Sequence, residues 1–263
     1  MISRRDLLKV AMAGAAINAD AGINAGVAAG TPILGLLGPV ESTVPPEATA
    51  LYPSGVHFEA ASVGLATMTP EGYDAVLDRI APTAQALAKR GARAIALMGT
   101  SLSFYRGAAF NRELTQRVAR ASGLPAVSMS TAVIEGLRSV GGKRLAIATA
   151  YDDEVNHRLE SFLHEEGFQV LAIRGLGVEK VEDIHAVTQK RLLDFSAGVY
   201  ESAKGADALL VSCGGLHTLD LLRPLEQRCG APVVSSLPHG LRAGVRLLGL
   251  SGRVPGYGKL LAQ

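Results

Sequence analysis

The chain has 263 residues, is 48% hydrophobic and carries a formal net charge of +2. That length supplies a sizeable core, for one large domain or two small ones. The near-neutral balance offers no basic tract for nucleic acid, and with no Trp and only 5% aromatic residues there is no platform for stacking bases.

The first thirty residues read differently from the rest. Ser3-Arg4-Arg5-Asp6-Leu7-Leu8-Lys9 resembles a twin-arginine export signal, with an apolar run from Val10 to Ile17 behind it. Ala19-Asp20-Ala21 and Val27-Ala28-Ala29 are candidate cleavage sites. Residues 1–30 are therefore expected to be a signal segment outside the fold, and the mature protein periplasmic; without a working leader it stays cytoplasmic. No apolar stretch approaches the roughly 20 residues of a membrane-spanning helix. No membrane association is expected after processing.

Beyond the leader, short apolar runs alternate with longer amphipathic segments. Strands are expected at Ile33–Leu37, Val56–Ala60, Ala94–Met98, Ala126–Met129, Arg144–Thr149, Gln169–Ile173, Ala208–Ser212 and Val233–Ser236. Helical patterns fill Pro70–Arg90, Ala108–Ala121, Asp153–Glu166, Thr188–Lys204 and Thr218–Arg228. Thirty glycines suit the strand-to-helix turns of such a chain. Strands alternating with helices imply parallel sheets joined by right-handed crossovers.

The pattern occurs twice. Gly91-Ala92-Arg93-Ala94-Ile95-Ala96-Leu97-Met98-Gly99 parallels Gly205-Ala206-Asp207-Ala208-Leu209-Leu210-Val211-Ser212-Cys213. Gly123-Leu124-Pro125-Ala126-Val127-Ser128 then parallels Gly230-Ala231-Pro232-Val233-Val234-Ser235. The expected fold is α/β: two pseudo-symmetric Rossmann- or flavodoxin-like halves with a cleft between them. Residues 31–138 with 238–263 are assigned to the first half and 139–237 to the second. Ligands of open α/β sheets sit beyond the carboxyl ends of the strands. Gly99-Thr100-Ser101 and Cys213-Gly214-Gly215 should therefore meet across one site, with Gly99 where the other half has Cys213.

Cys213 is the sharpest chemical candidate. It ends an apolar run before two glycines whose amides suit an anion such as a carboxylate. The same amides would lower its pKa, so a proton donor here needs apolar surroundings to offset them. A free cysteine is also a small buried hydrophobe, and that alternative stands at this point. Thr100, Ser101 and Ser103 offer hydroxyls that bind a carboxylate or merely cap a helix. Tyr151 ends another strand, and its phenol faces the cleft or packs at a turn. The other cysteine, Cys229, closes a charged helical stretch, and two cysteines form no disulfide framework. Neither the six histidines nor the cysteines show metal-ligand spacing, no nucleotide-binding glycine motif is present, and G-x-S-x-G is absent. No metal and no cofactor are expected.

At these residues the chain resembles the arylmalonate decarboxylase family. The resemblance lies in Leu97-Met98-Gly99-Thr100-Ser101-Leu102-Ser103-Phe104-Tyr105-Arg106-Gly107, in Ser212-Cys213-Gly214-Gly215-Leu216, in Thr69-Pro70-Glu71-Gly72-Tyr73-Asp74-Ala75 and in Pro255-Gly256-Tyr257-Gly258. It runs from about Pro32 to the C-terminus. The family belongs to the aspartate/glutamate racemase superfamily, whose racemases and maleate isomerases carry a cysteine on each half. The resemblance implies cofactor-free decarboxylation of a small dicarboxylate, a 2-aryl or 2-alkenyl malonate, to a chiral monocarboxylic acid. It implies Cys213 as proton donor, a dioxyanion hole of Thr100, Ser101, Tyr151 and the backbone through Gly214 and Gly215, and an apolar pocket of Leu65, Met68, Leu102, Val181 and Ile184. Gly38-Pro39 stands where the family has a Pro-Pro pair, which leaves the aryl side looser. Met68 and Ile184 look exchanged in character relative to the family pocket. His217 stands where the family has an apolar residue near the cysteine. Two alternatives remain at this stage: a racemase or maleate-type cis–trans isomerase, for which Gly99 supplies no second acid/base group, and an exported carboxylate-binding protein. Oligomeric state is not legible, and a monomer is compatible with everything above.

Overall fold

The computed structural model describes residues 30–40 and 42–263, His185 by its backbone only. The export-like leader lies outside these residues. Eight parallel strands form two sheets of four, in the order β2-β1-β3-β4 and β6-β5-β7-β8. The first sheet comprises β1 (Ile33–Gly38), β2 (His57–Ser62), β3 (Ala92–Leu97) and β4 (Ala126–Ser128). The second comprises β5 (Arg144–Thr149), β6 (Gln169–Gly175), β7 (Ala208–Ser212) and β8 (Val233–Ser235). All eight expected strands form, and the repeated phrases mark the third and fourth strands of each sheet. The central strands are buried on both faces, as their unbroken runs of Leu, Ile, Val and Ala require.

Ten helices surround the sheets: α1 (Pro46–Leu51), α2 (Pro70–Asp74), α3 (Leu77–Lys89), α4 (Thr100–Phe104), α5 (Gly107–Ser122), α6 (Met129–Ser139), α7 (Asp153–Glu165), α8 (Gln189–Ser202), α9 (Leu222–Cys229) and α10 (Ser236–Leu247). Short 3₁₀ turns occupy Val181–Ala186 and Leu219–Leu221. The acids expected to open a helix do so: Asp152 caps α7, its carboxylate accepting from Val155 N–H at 2.8 Å.

The pattern at Pro70–Arg90 gives two helices instead of one. The break follows Asp74, whose carboxylate accepts from the Tyr105 hydroxyl and from Arg106. Tyr73 turns inward and packs on Tyr105 with ring centroids 4.9 Å apart. These tertiary contacts override the helical period and redirect the chain.

α6 and α10, absent from the sequence expectation, join the two sheets. Pro238, Gly240, Gly244 and Gly136 read as helix breakers in sequence, yet each lies inside one of these helices. Close packing explains three of them. A Cβ on Gly136 of α6 would lie 3.3 Å from Val234 in β8 and 2.8 Å from Leu260. One on Gly240 would meet Met129 of α6 at 3.2 Å. One on Gly244 of α10 would lie 2.7 Å from Leu34 in β1 and 3.1 Å from Ala96 in β3. α6, which follows β4, thus reaches β8, and α10, which follows β8, packs on β1 and β3. Gly244→Val is expected to destabilise the protein by about 1–3 kcal/mol through overpacking, read as a lower urea midpoint with an unchanged slope.

Candidate active site

In each sheet the connections change direction between the first and third strands, β1 and β3 or β5 and β7. Such switch points open crevices beyond the strand ends. The chain after β1, β3 and β7 lines one cleft with a cavity of about 180 Å³. Gly38 and Pro39 come from β1, Met98 to Leu102 from β3, and Cys213 to Gly215 from β7. The expected apolar residues Leu65, Met68, Leu102, Val181 and Ile184 all line it and are buried. Thr67 and Lys180 form an antiparallel bridge that holds the segments carrying Met68 and Val181 together.

The tips of β3 and β7 touch. A Cβ on Gly214 would lie 3.1 Å from the Met98 carbonyl oxygen and 3.1 Å from Met129 Sδ, and one on Gly215 would press on Ile184 at 3.1 Å. Gly99 has φ −120° and ψ 101°, an ordinary extended conformation. Its hypothetical Cβ meets Leu102 at 3.1 Å, a contact a flexible side chain can relieve. Glycine is thus close to obligatory at 214 and sterically replaceable at 99.

Cys213 is buried, with φ +150°, the one positive φ outside glycine among the described residues. A side chain rarely adopts that conformation, which costs about 1–3 kcal/mol and persists where surroundings enforce it. The enforcement is visible: Cys213 N–H donates to Ser236 Oγ at 3.2 Å, at the start of α10. Burial pushes the thiol pKa up to about 11, although the Gly215 and Leu216 amides and the Tyr151 hydroxyl all pull it down. Desolvation therefore wins over the anion-binding turn, and the group stays a thiol at neutral pH. Cys229 is free, half-buried and also raised to about 11 by burial.

The expected hydroxyls divide. Thr100 and Ser101 line the cleft, with Thr100 Oγ1 donating to Met129 Sδ at 2.9 Å. Ser103 instead contacts Ser130 Oγ at 2.7 Å and the carbonyls of Gly99 and Thr100 at 2.9 Å, so it braces the loop from behind. Tyr151 stands against two residues of the cleft, its hydroxyl next to Cys213 and Ser101. It is fully buried behind Cys213, with its hydroxyl 3.4 Å from Ser212 Oγ and near Ser101. Burial, reinforced by Cys213, holds its phenol well above the usual range.

Tyr73 was missed as a site residue. It is fully buried, its hydroxyl has no hydrogen-bond partner at normal distance among the described residues, and Ser101 is the neighbour that eases its ionisation. Burial and the nearby Cys213 push its phenol well above the usual range. Its position inside the Thr69–Ala75 segment was the available signal. Ser236 and Met129, which hold the strand tips, carried none.

A model described as arylmalonate decarboxylase matches residues 34–261. The chain belongs to the arylmalonate decarboxylase family. It is 47% identical over 237 residues to the arylmalonate decarboxylase of Bordetella bronchiseptica, covering 89% of this chain and 98% of that protein. A solved structure of liganded arylmalonate decarboxylase, with glycine-to-cysteine and cysteine-to-serine substitutions, superposes with a TM-score of 0.84 at 46% identity, covering 88% of this chain and 98% of that one. The Nocardia farcinica maleate isomerase is 30% identical over 52% of this chain and 54% of its own length. Its TRIS-bound structure, at 23% identity and TM-score 0.81 over 88% of this chain and 98% of that one, shares the fold. Family membership makes this chain a carboxy-lyase.

The Cys213 shift sets a pH dependence. The folded pKa of about 11 lies above the ordinary 9.0. The folded state therefore favours the protonated thiol, and this contribution to stability is complete below about pH 9 and lost as pH rises through 11. Ultraviolet thiolate titration of the protein against Cys213→Ala should show one thiol ionising near pH 11. The difference in unfolding free energy between the two proteins should shift by on the order of 3 kcal/mol across that interval.

Proposed function

We propose that this protein decarboxylates 2-aryl or 2-alkenyl malonates to a chiral monocarboxylic acid without a cofactor, with Cys213 as the proton donor. The observation that carries the proposal is a buried Cys213 at one strand tip, its thiol pKa raised by burial, facing a cleft whose other tip presents Thr100 and Ser101.

One carboxylate is retained by Thr100 and Ser101 and by the backbone amides through Gly214 and Gly215, with Tyr151 supporting from behind. The other lies against Leu65, Met68, Leu102, Val181 and Ile184. Such walls solvate a carboxylate poorly and neutral CO2 well. The bond to the departing carboxylate breaks, and its electron pair spreads into the retained carboxylate as an enediolate. Donors already aimed at that carboxylate stabilise the developing charge without reorganising. Cys213 Sγ–H then gives its proton to the α-carbon, and water restores the thiol. A thiol with a pKa of about 11 keeps its proton until this strong base forms. Gly99 supplies no group on the opposite tip, so protonation comes from one face.

Purified protein incubated with phenylmalonate should release CO2. Cys213→Ala should lower kcat by at least about a hundredfold, the ordinary contribution of a general acid, while binding survives. Unchanged turnover in the folded variant would remove Cys213 from the mechanism, and no turnover of any aryl or alkenyl malonate by folded wild type would reject the activity.

Gly99→Cys should install a second proton-transfer group. The variant should wash solvent deuterium into the α-position of a chiral product acid, where wild type does not; proton NMR reads the exchange.

A further inference from the structure

Away from the strand tips the cleft lining is mostly apolar, with Thr43, Glu47 and His217 as its polar side chains among the described residues. Apart from Cys213, its only ionisable lining residues among those described are Glu47 and His217. Glu47 lies in α1 and His217 in the loop after β7, so the pair spans the cleft wall between the two repeats. His217 Nδ1 and Glu47 Oε1 are 2.6 Å apart, a short hydrogen bond between a ring nitrogen and a carboxyl oxygen. Glu47 is only 6% exposed, and its Oε2 is buried with no partner among the described residues. Both residues also line a second cavity of about 230 Å³, whose other walls include Gln189, Asp220 and Tyr257. The pair thus stands where the apolar cleft meets a polar chamber.

A buried carboxylate oxygen without a donor is costly, and a ligand that supplies one is favoured over an isostere that does not. The same oxygen also fixes which part of a substrate comes here. A malonate carries two carboxylates, which are acceptors only, and the unpartnered Glu47 oxygen offers them no donor. One remains at Thr100, Ser101 and Gly214 and the other against Leu65, Met68, Leu102, Val181 and Ile184, so the substituent on the α-carbon points to Glu47. The terminal carboxyl torsion of Glu47 is soft, so either oxygen can turn toward the cleft.

We propose that the preferred substrates are malonates whose aryl or alkenyl substituent ends in a hydrogen-bond donor, a hydroxyl or an amine, which docks on the Glu47 carboxylate beside His217. This rests on the decarboxylase reading above and deepens it by naming the substituent. His217 is a positioning residue: it holds one Glu47 oxygen and leaves the other for the ligand.

The test compares kcat/KM for 3- and 4-hydroxyphenylmalonate with those for phenylmalonate and the methoxyphenylmalonates, which match in length and lack the donor. Wild type should favour one hydroxyphenyl isomer over phenylmalonate by about tenfold or more, as a bond to a charged group predicts. The methoxy compounds should show no such gain. In Glu47→Leu the ratio should collapse to about one, while Glu47→Gln, which keeps an acceptor oxygen, should retain part of it. A wild-type ratio below about twofold for both isomers, or a ratio that survives in folded Glu47→Leu, overturns the proposal. If no malonate turns over, the decarboxylase reading fails by itself. Calorimetric binding of hydroxyphenylacetate against phenylacetate then decides the polar subsite: a preference for the hydroxylated acid that Glu47→Leu abolishes supports it, and equal affinities overturn it.

Discussion

A side chain at position 214 would crowd the Met98 carbonyl at 3.1 Å, and much of the site follows from that close approach. The turn after β7 presses its backbone against the Met98 carbonyl at the tip of β3 and against Met129 at the start of α6. Two sheets with the same strand order are brought together tip to tip. Their switch points merge into one cleft instead of opening separately to solvent. The glycines inside α6 and α10 serve the same approach from the other side, because they let each helix reach the sheet of the opposite repeat.

The same contact sets the state of Cys213. A turn of free amides at a strand end ordinarily favours an anion and lowers a thiol pKa. Here the closed tips exclude water, and desolvation outweighs the Gly215 and Leu216 amides and the Tyr151 hydroxyl together. The sulfur therefore keeps its proton beside donors that would otherwise favour the thiolate. In the proposed mechanism, binding an anion and delivering a proton are thus assigned to adjacent atoms of one turn. The strained φ of Cys213 is the conformational cost of that arrangement, held by Ser236.

Polarity within the cleft is distributed by function. The hydroxyls and amides gather at the strand tips, and the walls beside them are aliphatic. Glu47 and His217 lie apart, at the border with a second, more polar cavity. In the proposed reading a malonate's carboxylates find donors at the strand tips and only an acceptor oxygen at Glu47, so hydrogen bonding orients the substrate.

Alternation of apolar runs with amphipathic segments gave away every strand, because strands buried on both faces read as continuous hydrophobic stretches. The doubled Gly-Ala phrases revealed the repeat, and the Thr100, Ser101 and Cys213-Gly214-Gly215 turns were legible because small residues at strand ends have few other uses. Tertiary structure alone decided the rest. Pro238, Gly240 and Gly244 look like breakers until a neighbouring sheet explains their size. Pro70–Arg90 keeps a helical period that the Asp74, Tyr105 and Arg106 contacts interrupt. Tyr73 was visible only as part of a familiar segment, and the burial of Tyr151 beside Cys213 and Ser101 depends on packing that no local pattern shows. Glu47 and His217 are far apart in the chain, and no local pattern announces their bond. Sequence determines which residues can be strands, turns and acids, since those properties are local. Which acid loses its water, and which partners meet across a cleft, depends on long-range packing.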